Sequence, residues 1–177
     1  MNRFAMLALV LVFGMACYDS PTSPSDPNVG KFTAILLPGN EVPPVTNADA
    51  GASGTMQLTM TVTRDSAGVI TNATYDFVIN MTGFPPNTTL TGAHIHNGTA
   101  GNNSGVVVGL PLTPTTDTSL PSGQGTITKT GLSSTSSTVS PAAVAQGIFN
   151  NPAGNYFNVH TTINGGGAIR GQLVRSN

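Results

Sequence analysis

The chain has 177 residues, of which only 7% are charged, and its formal net charge is −1. That length fits one domain able to bury a core. The charge balance offers no basic surface to neutralise phosphates, which argues against nucleic acid as a partner, and beyond Ala16 the apolar residues are too dispersed for a spanning helix of about 20 residues.

The first segment reads as an export leader, residues 1–16. Arg3 supplies the positive start, and Phe4 to Ala16 is an apolar run too short to span a bilayer. It ends in Phe13-Gly14-Met15-Ala16-Cys17, with small residues one and three positions before the cysteine. This resembles a bacterial lipobox, which implies lipidation of Cys17 and a membrane anchor. Gly14 stands where that motif usually carries leucine, so ordinary cleavage nearby is the alternative. Cys17 is the single cysteine, which excludes an intramolecular disulfide and a zinc–thiolate site. Residues 17–30 then read as a lipidated cysteine and tether, because Pro21, Pro24 and Pro27 among serines and aspartates oppose helix and central strand.

From Lys31 to the C-terminus the pattern is that of one β domain, residues 31–177. Phe32, Ala34 and Leu36 alternate with polar neighbours until Pro38-Gly39. Met56, Leu58, Met60 and Val62 form one face of a second strand, with Gln57, Thr59, Thr61 and Thr63 on the other. Arg64 to Gly68 is a turn, and Val69 to Met81 returns with Tyr75, Phe77 and Ile79 on one face, a hairpin. Further strands are expected at 90–97, 106–110, 124–129, 156–161 and 168–174. Pro141 to Phe149 reads as a helix with proline in its first turn, and 132–140 as a loop. About eight strands with frequent turn signals predict an all-β, Greek-key sandwich or barrel, superoxide dismutase-like or immunoglobulin-like.

Three histidines carry the site argument. His94 and His96 flank Ile95, so at period two both side chains leave one side of a strand, their Cα atoms about 6.5 Å apart. In the 156–161 strand Phe157 and Val159 take the core side, which leaves Tyr156, Asn158 and His160 opposite. By the same alternation Ile169 and Leu173 point inward and Arg170 outward. A His-x-His pair with a third histidine is a tridentate imidazole set suited to copper or zinc, with divalent copper the tightest binder. The competing reading has the imidazoles bonding neighbouring Asn, Thr and backbone groups. Arg170, Glu41 and Tyr156 are candidates to hold an anion or to support the ligands from behind. For Glu41, between Asn40 and the stiff Pro43-Pro44 pair, acceptance of backbone N–H groups is the favoured role. Gly165-Gly166-Gly167 reads as a tight turn, and no complete catalytic set can be placed.

Four blocks in order, Asn40-Glu41-Val42-Pro43-Pro44-Val45, Thr91 to Gly98 (TGAHIHNG), Phe157-Asn158-Val159-His160-Thr161 and Gly167 to Leu173 (GAIRGQL), resemble a CHRD domain over about residues 31–174. The resemblance implies an extracytoplasmic β domain without established catalysis. In chordin such domains belong to a protein that binds secreted growth factors. Ala168 stands where the family commonly has glutamate. A weaker resemblance is to copper-zinc superoxide dismutase, which would match His94, His96 and His160 to copper ligands and Arg170 to the guide for an anionic substrate. The bridging histidine, the zinc set and the paired cysteines of that family are missing here. Together these readings predict a noncatalytic binding or structural module at the bacterial cell envelope. The membrane is its partner through the lipid anchor, with an extracytoplasmic ligand or protein besides. A mononuclear copper protein with redox activity of the dismutase kind is the alternative.

Overall fold

The structure, a computed structural model, describes residues 26–176. The leader, Cys17 and most of the tether lie outside those residues. Ten strands and one α-helix follow in the order β1 (Val29–Leu36), β2 (Ser53–Arg64), β3 (Ile70–Thr82), β4 (Thr88–His96), β5 (Val106–Gly109), β6 (Ser119–Leu120), β7 (Gly125–Leu132), α1 (Pro141–Asn150), β8 (Tyr156–Thr161), β9 (Ile169–Gln172) and β10 (Val174–Arg175). The all-β sandwich is as expected, with two short strands, β6 and β10, beyond the eight read from alternation. The domain also starts earlier than Lys31. Val29 and Gly30 already pair with Thr61 and Met60, so the last two residues assigned to the tether belong to β1. A bare glycine is needed there, since a Cβ on Gly30 would lie 2.8 Å from the Phe32 ring and 2.9 Å from that of Phe149.

One sheet has the order β10-β1-β2-β3-β7 and the other β5-β4-β8-β9, with β6 added to β4. All the pairings are antiparallel. The β2–β3 hairpin forms because Asp65 ties its turn: Oδ1 accepts from the N–H groups of Ala67 and Val69, both at 2.9 Å, and Gly68 adopts φ +80. Period-two alternation then fills the space between the sheets. Phe32, Leu36, Met56, Leu58, Met60, Tyr75, Phe77 and Ile79 from one sheet, and Ala93, Ile95, Phe157, Val159 and Ile169 from the other, are buried. Phe77 meets Phe157 across the interface at 5.9 Å between ring centroids. Helix α1 is capped by Ser140, whose hydroxyl accepts from Ala143 N–H, and it lays Val144, Ala145 and Ile148 over the core beside β3. No helix among the described residues is long and apolar enough to cross a membrane.

The sheets come together along one seam. Only Leu173 separates β9 from β10, so the chain passes from one sheet to the other through a fully buried leucine. Beside it Leu37 and Arg170 exchange two backbone hydrogen bonds, 3.0 and 3.1 Å, which level the far end of β1 with the middle of β9. The approach is close at Gly171, where a Cβ would lie 2.1 Å from the Ile35 carbonyl oxygen. Backbone cannot yield as a side chain does. Gly171→Ala should therefore push β9 off β1 and cost about 2–3 kcal/mol, read as a lower urea midpoint at constant m-value. A midpoint equal to wild type would mean the seam is not held at this point.

Candidate functional site

Strands β4 and β8 bring the three histidines together on the outer face of their sheet. In register, Gly92 faces His160, His94 faces Asn158 and His96 faces Tyr156. Ala93, Ile95, Phe157 and Val159 take the inner face, fully buried, as the alternation requires. Gly92 makes room for the imidazoles, because a Cβ there would lie 2.7 Å from His94 Cε1. The candidate ligand atoms of His94, His96 and His160 all lie within 4.8 Å of one another. His94 Nδ1 and His160 Nε2 are 3.0 Å apart.

Two backbone carbonyls orient these rings. His96 Nδ1 lies 2.8 Å from Ser104 O, and His160 Nδ1 lies 3.0 Å from Gly165 O. A carbonyl oxygen only accepts, so each Nδ1 carries hydrogen and each Nε2 presents a lone pair. Asn158, 2% exposed, sits between them with Oδ1 at 3.0 Å from both Nε2 atoms. Burial holds all three imidazoles neutral. It is the largest influence on each, and it combines with the charges of His160 and His96 to bring His94 down to about 4. Neutral rings with convergent lone pairs are a donor set that a transition metal can use at neutral pH.

Part of the outer face of this sheet is covered: His96, Tyr156, Asn158 and Arg170 are buried, while His94 and His160 are half-buried. Arg170 projects from that face as the alternation predicts, yet it is 1% exposed. Its Nη2 donates to Thr99 O and Asn102 O at 3.1 and 2.8 Å, and Nη1 to Asn103 Oδ1 at 3.1 Å. Residues 97–105 fold back over the sheet to supply those acceptors. Arg170 is therefore not placed at the surface to attract an anion, and the expectation of an anion guide is corrected on that ground. It acts instead from behind. Its guanidinium lies 3.4 Å from the Tyr156 ring centroid, and Tyr156 stacks on His96 at 4.6 Å with 3° between planes. The Tyr156 hydroxyl also accepts from Ser104 N–H at 3.3 Å.

Glu41 is 4% exposed and follows Asn40, whose amide donates to Arg170 O. Among the described residues its Oε1 has no hydrogen-bond partner, and the hydrogen bond that acts on the carboxyl comes from the Asn158 side chain where backbone N–H groups were expected. The carboxyl lies flush against Gly167, where φ is +133 and a Cβ would come within 2.3 Å of Oε1. Burial is the main cause that raises its pKa from 4.5 to about 7, against the lowering influence of Arg170 and of a hydrogen bond from Asn158. Asn103 closes this corner by donating to Val42 O at 2.7 Å.

The residues missed from sequence are those that hold the loops. Asp49, fully buried in a short 3₁₀ turn, accepts from Thr161 Oγ1 at 2.7 Å and Asn164 Nδ2 at 2.6 Å. That fixes the 161–167 turn whose Gly165 carbonyl orients His160. Ser104, Asn103 and Asp49 act across separations that alternation cannot reveal. Asn158 carried a signal, since period two already placed it on the histidine face.

The fold and site define a class: an antiparallel β-sandwich bearing an imidazole cluster on the outside of one sheet, under loops pinned by a buried arginine. The sequence profile of the CHRD domain matches residues 32–173, and the chain belongs to the CHRD domain family. No curated protein and no solved structure matches it.

The titrating groups oppose one another. Histidines with depressed pKa bind protons more readily when unfolded, so their contribution is present above about 6.5 and falls as pH drops toward 4. Glu41, raised from 4.5 to about 7, contributes fully below 4.5 and loses that contribution as pH rises toward 7. Glu41→Gln removes the opposing trend. Stability of metal-free variant should then climb with pH more steeply than wild type between 4.5 and 7 in urea melts. Equal slopes would mean that Glu41 titrates in the fold as it does in the unfolded chain.

Proposed function

We propose that this protein is an exported, lipid-anchored CHRD module of the bacterial cell envelope that binds rather than catalyses. Its ligand on this reading is one transition-metal ion, copper foremost, held by His94, His96 and His160. The observation that carries the metal reading is the convergence of three imidazoles within 4.8 Å, two of them with Nδ1 committed to backbone carbonyls. Outward-facing Nδ1–H bonds fix the ring and raise its basicity, the support that metal-binding histidines need. Neutral nitrogen donors suit copper and zinc, and divalent copper stands highest among the first-row ions. Membership of the CHRD family supports a binding module.

A dismutase reading asks for positive charge at the mouth of the site, and the one arginine in position for it is buried and committed to loop acceptors. Export and anchoring rest on Arg3, the apolar run to Ala16 and Cys17. The membrane, through that cysteine, is the first partner. The 97–105 and 163–167 loops around the site are the surface where an extracytoplasmic protein or ligand would meet it. The low charge of the chain speaks against nucleic acid.

Elemental analysis after copper or zinc loading should give about one ion per chain. His94→Ala and His160→Ala should each weaken binding strongly. A ratio near zero in wild type removes the metal reading, and sensitivity to only one of the two substitutions means the ligand set is wrongly assembled. For the anchor, Cys17→Ser should move the protein from the membrane to the soluble fraction and abolish incorporation of labelled fatty acid. A variant that stays membrane-bound and labelled would place the lipid elsewhere.

A further inference from the structure

We propose that Asn158 is the fourth donor of the histidine site through Oδ1, closing it as a three-nitrogen, one-oxygen cage with no solvent position on the ion. This rests on the metal reading above and says what kind of metal site it is. His96 Nε2 and His160 Nε2 are both unprotonated, because their Nδ1 atoms donate to Ser104 O and Gly165 O. Each lies 3.0 Å from Asn158 Oδ1, which also has only lone pairs to offer. No hydrogen lies between these atoms. Lone-pair atoms aimed at one another repel unless a cation stands at their focus; His94 Nδ1, 3.0 Å from His160 Nε2, donates a hydrogen to it in the metal-free site and gives that hydrogen up when it turns its lone pair to the ion.

Asn158 is held where it is. It sits inside the sheet, paired with His94 of β4 on one side and Arg170 of β9 on the other, and it is 2% exposed. Behind its side chain lies the carboxyl of Glu41, itself buried and seated against the bare backbone of Gly167. An amide that swung aside would have to displace packed strand neighbours. The oxygen therefore stays on the ion's side of the cage. Sites in which protein atoms fill all four positions retain and stabilise, whereas catalytic sites keep one position for water or substrate. A closed set makes this a retention or structural site.

The test loads the full chain with copper(II) and asks whether small molecules reach the ion. Wild type should give low solvent-proton relaxivity and no azide-to-copper charge-transfer band. Asn158→Ala should load copper about tenfold to a hundredfold more weakly, raise relaxivity severalfold and bind azide. Asn158→Asp, which keeps an oxygen in place, should still exclude azide. Wild type that takes up copper and binds azide overturns the fourth-donor assignment and leaves the histidine site standing. An Asn158→Ala protein indistinguishable from wild type in both readouts overturns it as well. If wild type takes up no copper, the histidine site itself is lost. Should Asn158→Ala fail to fold, the wild-type relaxivity and azide titration decide alone.

Discussion

A buried guanidinium holds the site in shape. Arg170 leaves water entirely, at a cost of several kcal/mol for an uncompensated charge. Carbonyls of Thr99 and Asn102 and the amide of Asn103 accept its hydrogen bonds, and the Tyr156 face covers it. That demand folds residues 97–105 over the sheet. Once there, the loop supplies Ser104 O to His96, while Tyr156 presses on the same imidazole from its flat side. One cation thus fixes a tautomer several ångströms away without touching it.

The remaining support is neutral or acidic. Asp49 anchors the turn that orients His160, and Glu41 backs Asn158. A chain with 7% charged residues has placed three of them, Arg170, Asp49 and Glu41, below 5% exposure around one cluster. Buried charge is expensive, so fold stability alone is a poor reason for such a concentration. Fixing a geometry is a better one.

Much of this was legible from alternation. Phe32, Ala34 and Leu36, the methionine face of β2, and Phe157 with Val159 all point inward as the period of two requires, because one face of each sheet must be buried. The same rule put His94, His96, His160, Tyr156 and Asn158 on one side. It could not say what covers that side. Polar residues opposite a core face normally meet water, and here long-range loop contacts cover Arg170, so it was read as an outward charge when it is a buried clamp. The short strands β6 and β10 escaped because two residues carry no period. The first residues of β1 escaped because Pro27 and Gly30 resemble tether, although Arg64 bonds Asn28 and Pro27 and binds the chain to the fold there.

Strand β1 has a consequence for how the domain is presented. It begins at Val29, beside the β2–β3 hairpin, and runs eight residues before Leu37 bridges to Arg170, level with Asn158 and His94. At about 3.3 Å per residue that is roughly 26 Å of rigid standoff. A surface that held the chain ahead of Asp26 would meet one pole of the sandwich, with the imidazoles displaced along β1 toward the opposite pole.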